Sequence, residues 1–201
     1  MAIEAGASAV GLVSEMPSGP GVISDERAAE IAAAVPPGVD AFLLTSRPSA
    51  DAIVEQNREI KARALQLVDA LPPGSHAELR RALPGVKLVQ VVHVTGPESL
   101  DEAVALAGAV DAILLDSGNP ALEVKELGGT GRRHDWEVSR RIREAIDVPL
   151  YLAGGLRPEN AGEAIETVGP FGLDVCSGLR PGPDFALDAD RLERFMAAAR
   201  R

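Results

Sequence analysis

Seven short, nearly continuous apolar runs recur along the chain, each followed by a stretch with helical spacing. The runs are Ala9–Ser14, Asp40–Thr45, Arg63–Val68, Leu88–Val94, Asp111–Asp116, Pro149–Ala153 and Leu173–Cys176. A strand that is apolar on both faces has to be covered on both sides, which is how strands of parallel sheets read. Helical stretches follow at Ser24–Val35, where Ser24 is a capping residue, and at Ala50–Ile60, Ser75–Ala82, Ser99–Ala107, Trp136–Ile146, Pro158–Val168 and Asp188–Ala199. Strand and helix in strict alternation predict an α/β fold with a parallel sheet. Met1–Gly6 reads as the last turn of a helix stopped by glycine. A closed eight-stranded barrel lacking its first strand–helix unit and an open doubly wound sheet both fit this pattern.

Composition narrows the function classes. The chain has 201 residues with 20 Lys+Arg against 30 Asp+Glu, a net charge of −10. Such a chain repels phosphate backbones, so nucleic acid is not an expected partner. A small phosphorylated ligand is still compatible, because local backbone amides bind phosphate whatever the global charge. One cysteine allows no internal disulfide and fits a reducing cytoplasm. No apolar run reaches the length of a membrane span, and no basic leader precedes one.

Four motifs carry chemistry. In Leu152-Ala-Gly-Gly-Leu156 a strand ends in Gly154 and Gly155 just before a helix. That arrangement cradles a phosphate or, without a ligand, makes a tight turn. Asp174-Val-Cys-Ser-Gly178 repeats it at the next strand end with Ser177 and Gly178, and barrel enzymes hold phosphates at their last two strands. Cys176 reads there as a small buried apolar residue. Asp116 closes the strand Leu114-Leu115-Asp116 and opens a long loop. A desolvated carboxyl there can serve as a general acid, or it can merely cap the loop. Gly128-Gly129-Thr130-Gly131 reads as a flap or as a solvated loop, with Trp136 packing the helix behind it.

In order and spacing these motifs resemble the phosphoribosylanthranilate isomerase family: LLD, GGTG, HDW, LAGGL-x-PEN, then DV-x-SG. Ala5–Gly11 and Leu65–Leu67 resemble the family's "AGADAVGF" and "VQLHG" segments. The resemblance implies one (β/α)8 TIM-barrel domain over 1–201, lacking its first β-strand, and a cofactor- and metal-free aldose–ketose isomerisation. It implies Asp116 as the acid, Gly154, Gly155, Ser177 and Gly178 around the substrate phosphate, and Gly129 and Thr130 in the flap.

The departures are specific. The family's base is a cysteine on the first strand, and this chain begins after that strand. Gly21 stands where the family carries an arginine that meets the anthranilate carboxylate, and Val68-Asp69 replaces its "HG". Asp69 and His93, at two strand ends, are then the candidate bases, with a satisfied half-buried histidine as the other reading of His93. Three outcomes remain open: an isomerase whose start lies upstream, a divergent isomerase of another sugar phosphate, and a non-catalytic phosphate-binding barrel. Unpaired barrel edges also predict homodimerisation. A version extended by one N-terminal strand–helix unit is expected to melt higher than the 201-residue chain; equal melting temperatures refute this.

Overall fold

The computed structural model describes residues 1–182 and 184–200. Seven parallel strands form one sheet in sequence order. They are β1 Ala9–Val13, β2 Asp40–Thr45, β3 Ala64–Leu67, β4 Lys87–His93, β5 Ala112–Asp116, β6 Leu150–Leu152 and β7 Gly172–Leu173. The helices between and after them are α1 Asp25–Ala34, α2 Ala50–Ile60, α3 Ser75–Ala82, α4 Ser99–Ala107, α5 Trp136–Ala145, α6 Ala161–Val168 and α7 Ala189–Ala199. The fold is the expected α/β one, and the sheet curls as a barrel wall does. Phe42 on β2 and Tyr151 on β6 lie four strands apart in the sheet order, yet their rings meet edge to face at 6.0 Å. A flat sheet, with strands about 4.8 Å apart, would hold them far beyond contact.

Strand alternation divides the side chains between two cores. Leu43, Leu65, Leu88, Ile113, Leu115, Leu150 and Leu152 point outward and pack on the helices. Phe42, Ala64, Val89, Val91, Ala112, Leu114 and Ala153 point into the curl. On β5 this parity carries Asp116 inward with Ala112 and Leu114. Most strand residues are aliphatic, Leu and Val above all, because parallel strands are covered on both faces.

Ser24 caps α1 as the sequence predicts, and Ser49 caps α2 in the same way. Arg27 N donates to Ser24 Oγ at 3.2 Å and Ala52 N to Ser49 Oγ at 3.3 Å. The helical turn at Met1–Gly6 is present: Ala7 N donates to Ala2 O, Gly6 N donates to Ile3 O, and Gly6 has φ +101°. Arg200 Nη2 donates to Ala5 O at 2.6 Å and ties that turn to the end of α7. Among the described residues β1 and β7 are the sheet edges and do not pair with each other. No helix among those residues is long and apolar enough to cross a membrane.

Two boundaries differ from expectation by more than one residue. The last strand covers Gly172–Leu173 instead of Leu173–Cys176. Its partner β6 has three residues and then turns away at Gly154, so the ladder ends once Asp174 N reaches Leu152 O at 2.8 Å. Helix α6 begins at Ala161 instead of Pro158. The preceding turn is closed by Asn160, whose side chain accepts from Arg157 N and donates to Gly155 O. Leu115, wholly buried between β5 and the helices, supports the strand that positions Asp116. Leu115→Ala is expected to cost about 2–5 kcal/mol in urea unfolding; a loss below 0.5 kcal/mol, on the order of a surface change, would contradict this packing.

Candidate active site

A cavity of about 590 Å³ opens at the carboxyl ends of the strands and runs on between β1 and β7. The inward parity of three strands brings Gln66, Asp116 and Asp174 to its wall, and Asp174 was no candidate from sequence. Its signal was available, since it opens the Asp174-Val-Cys-Ser-Gly178 motif. With the strand placed through Cys176, however, nothing marked Asp174 as the residue where the chain leaves the sheet facing inward.

Burial pushes the Asp116 carboxyl above the usual carboxylate range, while the Ser117 amide, the His93 ring and the Ser117 hydroxyl pull it back. Asp174 is surrounded by protein but opens to water through the cavity, and its pKa is raised to about 6. Burial is the main cause and the charge of Asp116 the second, offset by the Gln66 side chain and the Val175 amide. Two carboxyls that repel each other in a partly dry site cannot both ionise readily, and they titrate as a pair.

The flap lies directly over this pair. A Cβ at position 128 would stand 2.9 Å from Asp116 Oδ2, so only glycine lets the main chain approach the acid this closely. Thr130 Oγ1 and Ser117 Oγ are 2.7 Å apart, which ties the flap to the residue after Asp116. Gly129 faces Pro20 and Gly131 faces Ser177. The flap thus joins the loops after β1, β5 and β7. Further out the same loop is held by Ser18 Oγ donating to Lys125 O at 2.6 Å, by the Asn119–Glu126 bridge, and by ion pairing of Arg132 with Glu126.

Of the expected site residues, Asp116, Gly129, Thr130, Gly154, Gly155 and Ser177 all border the cavity. Gly178 does not. It packs under Ser177, where a Cβ would come within 1.8 Å of Leu156 O, and that contact seats the last turn on the one before it. Cys176 differs from expectation: it is exposed and borders the cavity, because the strand stops before reaching it. Although it is open to the cavity, the loops packed around it desolvate the thiol and raise its pKa, opposed by Arg180.

Neither candidate base borders the cavity. Asp69 turns outward to Lys125 Nζ at 2.5 Å. His93 is buried, with Nε2 2.9 Å from Val68 O and the Gly118 backbone against Nδ1. The structural reading of His93 thus matches its position only in part: the ring is buried instead of half-buried, Nε2 is satisfied, and Nδ1 has no hydrogen-bond partner among the described residues.

The comparisons with known proteins agree with this geometry. The family model described as N-(5'phosphoribosyl)anthranilate (PRA) isomerase matches residues 2–181. The chain belongs to this family. N-(5'-phosphoribosyl)anthranilate isomerase of Haloferax volcanii is 40% identical over 197 residues, covering 98% of this chain and 85% of the relative. That of Methanocella arvoryzae is 35% identical over 174 residues, covering 87% and 79%. The Thermotoga maritima phosphoribosylanthranilate isomerase structure superposes with a TM-score of 0.83 at 29% identity over 99% of this chain and 91% of that one. A family structure in complex with reduced 1-(o-carboxyphenylamino)-1-deoxyribulose 5-phosphate gives 0.80 at 27% over 99% and 90%. Monomers made from the dimeric Thermotoga maritima protein give 0.78 at 25% over 99% and 90%. The fold of this family member is therefore of the (β/α)8 type, with seven strands in this chain.

His134, in the family's HDW segment, supports the site from below. It is buried, bonds Ser139 Oγ at 2.8 Å and lies under Gly154. Burial lowers its pKa to about 4 from an ordinary 6.5. Below pH 6.5 the unfolded chain gains a proton that the folded one refuses, so this group removes stability as pH falls, by up to about 3 kcal/mol. Asp174 acts oppositely: its raised pKa adds stability at low pH that is lost as pH rises through 6. His134→Asn removes the first effect and keeps the second. Its melting temperature is expected to drop less between pH 7 and pH 5 than that of the unsubstituted chain, and equal drops refute the assignment.

Proposed function

We propose that this chain isomerises N-(5'-phosphoribosyl)anthranilate to 1-(o-carboxyphenylamino)-1-deoxyribulose 5-phosphate, a step of tryptophan biosynthesis. The observation that carries the reading is the pair of inward carboxyls, Asp116 and Asp174, lying under a glycine flap in a member of this family. Asp116, the more enclosed of the two and pushed up by burial, serves as the general acid from its protonated form; with Asp116 neutral, its charge no longer holds the Asp174 proton. It protonates the ribose ring oxygen; the C1–O bond breaks and the nitrogen lone pair forms the C1–N double bond. Asp174, ionised above about pH 6, is the base. It takes the proton from C2, and that electron pair forms the C1–C2 double bond as the iminium becomes an enamine. The C2 enol then gives its O–H proton to Asp116 and becomes the ketone as the C1–C2 electron pair takes the proton held by Asp174 onto C1. Atoms and electrons balance without an oxidant. One proton shared by the pair and held on Asp116 leaves Asp174 as the base.

The turn Gly154-Gly155 and the Ser177 hydroxyl hold the phosphate, with Gly178 keeping the second turn seated. Gly129 and Thr130 close over the sugar and exclude water. The single cysteine suits a cytoplasmic enzyme, and the unpaired edges of the sheet together with the dimeric Thermotoga protein support a homodimer.

Turnover of the substrate by the 201-residue chain is the direct test. Asp116→Asn is expected to lower kcat by about 10²–10⁴-fold, the usual worth of a positioned acid. In the unsubstituted chain kcat/KM is expected to rise with pH as Asp174 loses its proton, with the limb at or below about pH 6 because a protonated Asp116 does not repel the new charge. Asp174→Asn abolishes that limb along with most of the rate. A variant at 174 that keeps both the rate and the limb places the base elsewhere.

A further inference from the structure

The cavity wall carries Asp116, Asp174 and, among the described residues, one basic side chain, Arg180. The phosphate-type turns supply neutral amides and a hydroxyl. A ligand with a second anionic group would therefore meet two carboxyls and a single cation. Arg180 is half-buried and enters no ion pair among the described residues. Surface arginines of this chain such as Arg140 and Arg132 do have carboxylate partners. A partly desolvated guanidinium without an anion is a costly arrangement unless a ligand completes it.

Arg180 is also aimed. Its Nη1 donates to Phe185 O at 2.8 Å, and its guanidinium carbon lies 5.2 Å from the Phe185 ring centre. Phe185 is held at φ +56°, a left-handed conformation that a bulky residue adopts only under constraint. Its ring sits against Gly21, where an added Cβ would be 3.3 Å from Phe185 Cε1. The space that a side chain at position 21 would enter is thus filled by Phe185, and the arginine stacked on that ring comes from the loop after β7. This places the guanidinium toward the loop after β1. The Gly154-Gly155 turn lies elsewhere, against Ser117 and the Arg132–Arg133 backbone.

We propose that Arg180, stacked on Phe185, recognises the aryl carboxylate of the substrate by a two-point guanidinium–carboxylate contact. The proposal rests on the isomerase reading and adds the residue that selects the aromatic half of the substrate; Phe185 is its positioning residue. A planar fork of donors matches a carboxylate in a way that an ammonium cannot.

The test is calorimetric titration with two product analogues, reduced 1-(o-carboxyphenylamino)-1-deoxyribulose 5-phosphate and the same compound without its carboxyl group. The unsubstituted chain is expected to prefer the carboxylated compound by about 10–100-fold, the range of a charge-assisted pair. Arg180→Ala is expected to bring that preference close to one while leaving affinity for the compound without the carboxyl unchanged. Arg180→Lys, which keeps the charge and guards against a folding defect, restores only part of it. Equal loss of both ligands in Arg180→Ala would assign Arg180 to the phosphate and overturn the proposal, as would a preference that survives the substitution. An unsubstituted chain that binds both analogues equally overturns the role of Arg180 alone. One that binds neither overturns the isomerase reading and this proposal with it.

Discussion

The contact between Phe42 on β2 and Tyr151 on β6 is the constraint from which the site follows. Only a sheet that curls brings those rings together, and curling turns the period-two alternation of every strand into a division between inside and outside. Once the inside exists, inward parity at a strand's carboxyl end can bring a residue to the cavity, although His93, which shares that parity on β4, is enclosed by the Val68 carbonyl and the Gly118 backbone. Gln66, Asp116 and Asp174 meet that condition from three strands that are distant in sequence.

Placing two carboxyls in that space is unfavourable for the fold and useful for chemistry. Burial raises both pKa values, and the charge of Asp116 raises that of Asp174 further. The chain tolerates them because local groups meet them: the Ser117 amide and hydroxyl at one, Gln66 and the Val175 amide at the other. The result is one site with two proton affinities. The glycine flap extends the same economy of space, since its main chain lies where any side chain at position 128 would strike Asp116.

Much of the site was legible before the fold was seen. Asp116 stands at the end of an unmistakable apolar strand, and the Gly154-Gly155 turn and the flap announce themselves by glycine spacing. Asp174 was not legible as a site residue, because the length of β7 is set by where β6 turns away and not by its own residues. Cys176 was taken for a buried apolar residue for the same reason. Asp69 and His93 were candidate bases because each lies at or near a strand end and could face the barrel mouth. Lys125 reaches back from a distant loop to hold Asp69 outward, and the Val68 carbonyl and the Gly118 backbone enclose His93.

Arg180 shows the same division. Its residue type was plain in the chain, but its lack of an anion and its stack on Phe185 are products of loop packing around Gly21. The sequence by itself determined the alternation of strand and helix, the family, and the acid at the end of β5, because these depend on local periodicity and short motifs. Tertiary structure alone decided which polar side chains share the cavity, because that depends on the curl of the sheet and on contacts between residues more than a hundred positions apart, such as Ser18 with Lys125, which no local pattern encodes.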